Sequence, residues 1–190
     1  MRWMLRKGRW AWLLTALFVS HAFGQERVQL CAACHGDDGN STNPQIPSIA
    51  GQPKLFVETQ LVLMREELRP APAMQPIVKD MKDADITRYA DQFSKLPAKS
   101  TESGAPDPKL VERGRERAGA LRCGVCHVSD FRGQSQVPRL AAQRSDYLAA
   151  EMRAYRDNKR KGGDTIMAAT LYGVSDADID ALAHYLSRLE

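Results

Sequence analysis

The chain of 190 residues is 43% hydrophobic and carries 27 basic and 23 acidic side chains, which gives a formal net charge of +4. Four of the basic residues lie within the first nine positions, so the rest of the chain holds equal numbers of each sign. A chain that is neutral beyond its first residues gives no support for binding to nucleic acid, and we expect no such partner.

The first 24 residues have the order of a secretory signal peptide. A basic start is followed by an apolar run over residues 10–20 and then by the small residues Ala22 and Gly24. The run is shorter than the roughly 20 residues that a membrane-spanning helix needs. We therefore predict a signal peptide over residues 1–24, cleavage after Gly24 and export to the periplasm. Retention of the segment as a membrane anchor is the alternative.

The rest of the chain contains two copies of one pattern. Each copy begins with Cys-x-x-Cys-His, at residues 31–35 and 123–127, and continues with an amphipathic helical segment at residues 52–68 and 145–160. No segment has the alternating pattern that indicates a β-strand. The sequence therefore predicts an all-α fold.

Each copy ends with a second amphipathic segment. The sequence Asp-Ala-Asp-Ile begins this segment at Asp83 and again 93 residues later at Asp176, and Pro47 and Pro138 are 91 residues apart. Because the same features recur in the same order at nearly the same spacing, we interpret the two halves as a tandem duplication.

A linker separates the two copies. Residues 96–109 contain three prolines and no apolar periodicity. We predict a first domain over residues 25–97, a linker over 98–109 and a second domain over 110–190. Domains of about 75 residues have thin cores and often need a cofactor, a metal or a disulfide for stability.

All four cysteines lie in the two Cys-x-x-Cys-His motifs. A disulfide in each motif would not explain the adjacent histidine, a thioredoxin-like pair needs alternating strands and helices, and a four-thiolate zinc site needs the motifs to converge. Covalent haem attachment fits the spacing, because two thiols add to the porphyrin vinyl groups and the next histidine reaches the iron. We predict two haem c groups, haem 1 on Cys31 and Cys34 and haem 2 on Cys123 and Cys126.

The axial iron ligands follow from the same duplication. His35 and His127 are the predicted proximal ligands of haem 1 and haem 2. Met74 lies in a proline-rich loop 39 residues after His35, and Met167 lies in a glycine-bearing loop 40 residues after His127. Their equivalent positions predict Met74 and Met167 as the distal ligands.

The other candidate ligands lack this pairing. Met64, Met81 and Met152 are expected to fill the cores, as buried methionines normally do. The position in the first copy that matches His184 is Asp91. We therefore expect His184 to be a surface or packing residue.

Two prolines are candidates for orienting the histidines. Ligating histidines usually donate their second ring N–H to an acceptor, which fixes the tautomer. Pro47 and Pro138 follow the histidines of the two motifs at nearly equal distances, so we predict that their carbonyl oxygens accept this bond. The alternative is that each proline only forms a turn in the backbone.

Three stretches carry a resemblance to a known family: "CAACHGDDGNSTNPQIPSIAGQ", "CGVCH" with "VPRLAAQ", and the "DADI" segments after each methionine. In these the chain resembles the dihaem class I c-type cytochromes of the cytochrome c4 family. The resemblance implies two tandem class I cytochrome c domains, each wrapped around one covalently bound haem, with haem propionates near the domain interface. It also implies one-electron transport in the periplasm, from a membrane quinol-oxidising complex to a terminal oxidase or other reductase.

The chain departs from this family at two places. Cys31 comes six residues after the predicted cleavage site, which leaves about one turn for the usual first helix. Ala118 stands where the family leads us to expect a bulky aromatic residue. The dihaem subunit of flavocytochrome sulfide dehydrogenases shares the tandem fold, so the resemblance leaves that group open.

Three functions are compatible with these features. The first is a periplasmic electron carrier of a respiratory chain with two His/Met-ligated haems, soluble or peripheral at the membrane. The second is the cytochrome subunit of a flavocytochrome. The third is a small dihaem oxidoreductase with one open iron, which the two equivalent methionines disfavour. The sequence has no paired carboxylates, phosphate loop or nucleophile arrangement that indicates another catalytic activity.

Overall fold

The computed structural model describes residues 28–190, and the predicted signal peptide lies outside them. Within that range the chain forms α helices, one 3-10 turn and no β-strand. The helices are α1 (28–35), α2 (Lys54–Arg65), α3 (Gln75–Val78), α4 (Asp83–Ser94), α5 (Pro108–Ala120), α6 (Ser145–Arg156), α7 (Thr165–Leu171) and α8 (Asp176–Leu186), with the 3-10 turn at Cys123–Val125. The predicted all-α class is confirmed.

Each half of the chain has its own apolar core. The core of the first half lies between α2 and α4 and contains Met64, Val78, Met81, Ile86, Tyr89 and Phe93. The core of the second half lies among α5, α6, α7 and α8, and its cluster has twelve buried residues where the cluster of the first half has six, counted over the described part of the chain. The first half therefore has the smaller side-chain core and the larger need for a cofactor.

The second core depends on close contact between α5 and α8. Gly114 of α5 is buried, and a Cβ atom at this position would lie 2.2 Å from the carbonyl oxygen of Ala181 and 2.5 Å from Cβ of Tyr185. Only glycine lets the two helix backbones approach this closely, because a protein interior has no room for an added methyl group. The crossing of α5 and α8 therefore fixes the position of α5, which leads directly into the second motif.

The segment between the halves is hydrogen-bonded to both of them. The backbone N–H of Lys99 donates to Oδ1 of Asn40 in the first half at 2.8 Å, and the hydroxyl of Ser100 donates to the carbonyl of Ser187 in the second half at 2.7 Å. Residues 98–107 contain no helix. We keep residues 25–97 and 110–190 as the proposed domain bounds.

From residue 28 onward, no helix combines the length and the apolar composition that crossing a bilayer requires.

Candidate functional site

The histidines of the two motifs are held in the same way. His35 is 8% exposed and His127 is 4% exposed. Nδ1 of His35 lies 2.8 Å from the carbonyl oxygen of Pro47, and Nδ1 of His127 lies 2.8 Å from that of Pro138. Since a carbonyl can only accept, Nδ1 carries the proton and Nε2 is left as the atom that can bind a metal.

Burial keeps both imidazoles in the form that can bind iron. Desolvation lowers the pKa of His35 and of His127 below the ordinary value, and the proline carbonyl opposes this effect. A neutral ring has a lone pair on one nitrogen, and a protonated ring has none. Both rings are therefore prepared to act as ligands at neutral pH.

The thiols of each motif lie on one helical turn. Cys31 and Cys34 are on α1, and the backbone N–H of His127 donates to the carbonyl of Cys123 at 3.1 Å across the corresponding turn. Residues three and four apart share one side of a helix, so both thiols and the histidine face the same way. In each motif the first cysteine is half-buried, with a raised thiol pKa caused by desolvation, and the second is exposed.

The paired methionines differ in burial from the others. Met74 stands at the start of α3 and Met167 lies within α7, and each packs half-buried against the core of its own half. Met64, Met81 and Met152 are buried within the cores, at 9%, 4% and 9% exposure. The iron-ligand role of Met74 and Met167 stays a prediction.

His184 has two polar partners away from the motifs. Its Nε2 accepts from the backbone N–H of Asp107 at 3.0 Å, and its Nδ1 lies 3.2 Å from Nη1 of Arg188. Desolvation, with the nearby Arg188 charge as the next cause, lowers the pKa of this histidine. His184 therefore ties the segment before α5 to the last helix, which supports a packing role.

The loop after each motif makes the same turn with different residues. The carbonyl of Gly39 accepts from two backbone N–H groups of residues 49 and 50, and that of Phe131 accepts from residues 140 and 141. The first loop places Gly36 and Gly39 at positive φ, whereas the second places Val128 at φ 59° and Phe131 at φ 57°. The second loop is therefore strained at two positions, since branched and bulky side chains disfavour this region.

Phe131 has a packing role next to the unusual Ala118. An open groove of about 430 Å³ is lined by Ala118, Phe131 and Tyr185 among others. The two aromatic rings meet edge to face, with centroids 6.2 Å apart and an angle of 85° between their planes. Phe131 and Tyr185 thus provide aromatic surface beside the position where an aromatic was expected, and sequence reasoning missed this.

Two buried glutamines bridge the halves through reciprocal pairs of hydrogen bonds. Oε1 of Gln143 accepts from the backbone N–H of Ser48 at 2.7 Å, and its Nε2 donates to the Ser48 carbonyl at 2.9 Å. Oε1 of Gln52 accepts from the backbone N–H of Arg139 at 2.9 Å, and its Nε2 donates to the Arg139 carbonyl at 3.1 Å. We call Gln52 and Gln143 the glutamine pair. The two glutamines occupy equivalent positions in the two repeats, 91 residues apart, and this equivalence is the sequence feature that could have indicated a shared role.

Arg139 brings a buried positive charge to the same interface. It is 3% exposed, its Nε donates to the carbonyl of Ala50 and its Nη1 to that of Ala141, and its Nη2 finds no hydrogen-bond partner among residues 28–190. Desolvation lowers the pKa of this guanidinium to about 10. A buried cation with an unsatisfied donor favours an anion beside it, so the interface fits a cofactor that carries carboxylates, as the haem propionates do.

The four cysteines do not converge on one metal site. Over residues 28–190, no group of three or more His, Cys, Asp and Glu side chains is placed to hold a metal ion. Each Cys-x-x-Cys-His motif instead lies in its own half, with its own buried histidine and its own proline acceptor. This arrangement fits one haem in each half and does not fit the four-thiolate zinc alternative.

The chain is similar to known proteins over most of its length. A family model described as cytochrome c matches residues 111–190. The chain is 31% identical to cytochrome c4 of Azotobacter vinelandii, with 88% of each protein covered. It is 29% identical to a thiosulfate dehydrogenase electron acceptor of Thiomonas intermedia, with 92% of this chain and 87% of that protein covered.

The fold is also similar to a solved structure. The crystal structure of reduced recombinant cytochrome c4 from Pseudomonas stutzeri matches with a TM-score of 0.79 at 30% identity, and the match covers 89% of this chain and 98% of that one. The prediction of two tandem class I cytochrome c domains is confirmed. Membership in this family implies covalently bound haem c. The chain belongs to the cytochrome c4 family, the dihaem class I c-type cytochromes that transfer electrons.

Proposed function

We propose that the chain is an exported, periplasmic carrier that passes single electrons between redox proteins of a respiratory chain. The proposed haem 1 site consists of Cys31, Cys34, His35 and Met74, and the proposed haem 2 site consists of Cys123, Cys126, His127 and Met167. The observation that carries the proposal is the repeated unit of a buried histidine whose Nδ1 lies 2.8 Å from a proline carbonyl.

The proposed ligands suit electron transfer better than bond chemistry. Haem c supplies a one-electron iron couple when it is bound, and a His/Met ligand pair raises its reduction potential. In each half the chain holds the histidine as a neutral ring and keeps a methionine at the edge of the core. If His35 and Met74 bind one iron and His127 and Met167 bind the other, neither iron would have a position left for oxygen, peroxide or another substrate.

The family and its relatives support a proposal for the redox partners. We propose a membrane quinol-oxidising complex as the electron donor and a terminal oxidase or other reductase as the acceptor. A relative named as a thiosulfate dehydrogenase electron acceptor favours a second candidate, in which the chain accepts electrons from an enzyme that oxidises a sulfur compound. Co-purification with such an enzyme would distinguish this role, or that of a flavocytochrome subunit, from that of a freely diffusing carrier.

The visible spectrum of the dithionite-reduced protein, recorded before and after carbon monoxide is added, tests the proposal. We expect no change, because iron with two strong axial ligands has no open position for the gas. A shift in about half of the haem absorbance would show one open iron and would contradict the carrier function in favour of a small dihaem oxidoreductase.

Removal of both thiols of one motif tests the assignment of each haem to its motif. We expect the double variant Cys31→Ser/Cys34→Ser to carry one covalent haem where the wild type carries two, because no thiol is left in the first motif to form a thioether with the porphyrin. The matched variant Cys123→Ser/Cys126→Ser should lose haem 2. The measurement is the mass of the intact chain. Two covalent haems in the Cys31→Ser/Cys34→Ser chain would show that haem 1 is attached elsewhere.

A further inference from the structure

The peptide group after Pro47 joins His35 to the opposite half of the protein. Its oxygen accepts the Nδ1–H of His35 at 2.8 Å, and its nitrogen, which belongs to Ser48, donates to Oε1 of Gln143 at 2.7 Å. A single peptide group therefore carries both bonds. The histidine of the first half ends a short hydrogen-bonded chain that begins at a glutamine of the second half.

The second half repeats this arrangement in the other direction. The peptide group between Pro138 and Arg139 accepts from Nδ1–H of His127 at 2.8 Å and donates to Oε1 of Gln52 at 2.9 Å. Gln52 precedes α2 of the first half. Each histidine is thus linked to the glutamine of the half in which it does not lie.

The peptide groups transmit the effect of the glutamines to the histidines. An acceptor at the N–H end polarises a peptide group and makes its oxygen a stronger acceptor, since hydrogen bonds in a chain strengthen one another. A stronger acceptor at Nδ1–H raises the basicity of the ring as an iron ligand and favours oxidised iron. Gln52 and Gln143 are 4% and 3% exposed, so water does not screen this effect.

We propose that Gln143 is a positioning residue for haem 1 and Gln52 a positioning residue for haem 2. Each lowers the reduction potential of the haem carried by the opposite half through one peptide group at the domain interface. This inference rests on the proposed function, because it takes His35 and His127 as iron ligands. It assigns a redox role to an interface contact that otherwise only holds the halves together.

The variants Gln143→Met and Gln52→Met test the proposal in the full, haem-loaded chain. Methionine has nearly the length and volume of glutamine but cannot replace its hydrogen bonds. The two haems are followed separately in a redox titration by the NMR signals of their ring methyl groups. The ring N–H resonances of His35 and His127 are recorded as a second readout.

We expect a crossed result. In Gln143→Met, the ratio of reduced to oxidised haem 1 at fixed ambient potential should rise about threefold, equivalent to about 30 mV for a one-electron couple, with haem 2 unchanged. The ring N–H signal of His35 should shift towards that of a weaker hydrogen bond. Gln52→Met should change haem 2 and His127 in the same way and leave haem 1 unchanged.

Three results would overturn the proposal: equal shifts in both haems, a shift only in the haem of the mutated half, or no shift. If a methionine variant does not fold, Gln143→Glu and Gln52→Glu keep the acceptor oxygen. They should lower the potential of the opposite haem more than that of the near haem, and the reverse order contradicts the proposal. Failure of the proposed function is seen separately, as a wild-type chain that binds carbon monoxide.

Discussion

Met74→Ala should open the iron of haem 1 to carbon monoxide and leave haem 2 closed. Loss of the thioether ligand should also lower the potential of haem 1 by about 0.2 V, since axial ligands spread haem potentials over roughly 0.8 V. Met167→Ala should do the same to haem 2. The measurements are carbon monoxide difference spectra and a redox titration of each variant. The effect should be confined to one haem because Met74 and Met167 pack against separate cores.

A core methionine provides the control for this pair. Met81 is 4% exposed in the first core, and Met81→Leu conserves its volume, so it should cost less than about 1.5 kcal/mol of stability. It should give no carbon monoxide binding. If Met74→Ala and Met167→Ala bind no more gas than Met81→Leu and keep the wild-type potentials, the methionine ligands are assigned wrongly.

Gly114→Val should destabilise the second half by about 3 kcal/mol or more, because overpacking against fixed backbone leaves little room to relax. A Cβ atom there would lie 2.2 Å from the carbonyl oxygen of Ala181, far inside any normal contact. The helices α5 and α8 would have to separate. The measurement is thermal unfolding of the haem-loaded chain, followed by far-ultraviolet circular dichroism and by the haem 2 signal.

Gly119 of the same helix is the matched control. Among residues 28–190, and apart from its chain neighbours and the nearby backbone of its own helix, no heavy atom lies within 4 Å of the Cβ position at Gly119. Gly119→Ala should stabilise α5 by about 0.5–1 kcal/mol, because alanine loses less backbone freedom than glycine when a helix forms. If Gly114→Val unfolds at the wild-type temperature, the close crossing of α5 and α8 is not the contact that holds the second half together.

The sequence alone predicted the features that depend on local spacing. In the order Cys-x-x-Cys-His, two thiols can attach one haem and the next histidine can reach its iron, so the two motifs predicted two cofactor sites from the sequence alone. Apolar residues three and four apart predicted the helices after each motif, and the equal spacing of the two copies predicted two domains. The same spacing indicated Pro47 and Pro138, whose carbonyls lie 2.8 Å from the histidines.

The sequence contained weaker signals for the residues at the interface between the two halves than for the haem motifs. Glutamine is usually a surface residue, so Gln52 and Gln143 gave no reason to expect burial. Ala118 stands at a position where the family predicts an aromatic residue, and the aromatic surface beside it comes from Phe131, which lies where the first half has a glycine. From the sequence alone, a phenylalanine in place of a glycine is expected to be a variation in a surface loop. In the structure, the ring of this phenylalanine packs against that of Tyr185.

The sequence by itself therefore determined the cofactor, the helical class and the duplication, because these depend on residues that are close together along the chain. Only the tertiary structure decided how the halves meet. It decided which glutamine reaches which peptide group, and it buried Arg139 with an Nη2 that has no hydrogen-bond partner among residues 28–190. These contacts join residues about 90 positions apart. The pairing of such distant residues is set by how two packed surfaces fit together, and no periodicity along the chain encodes it.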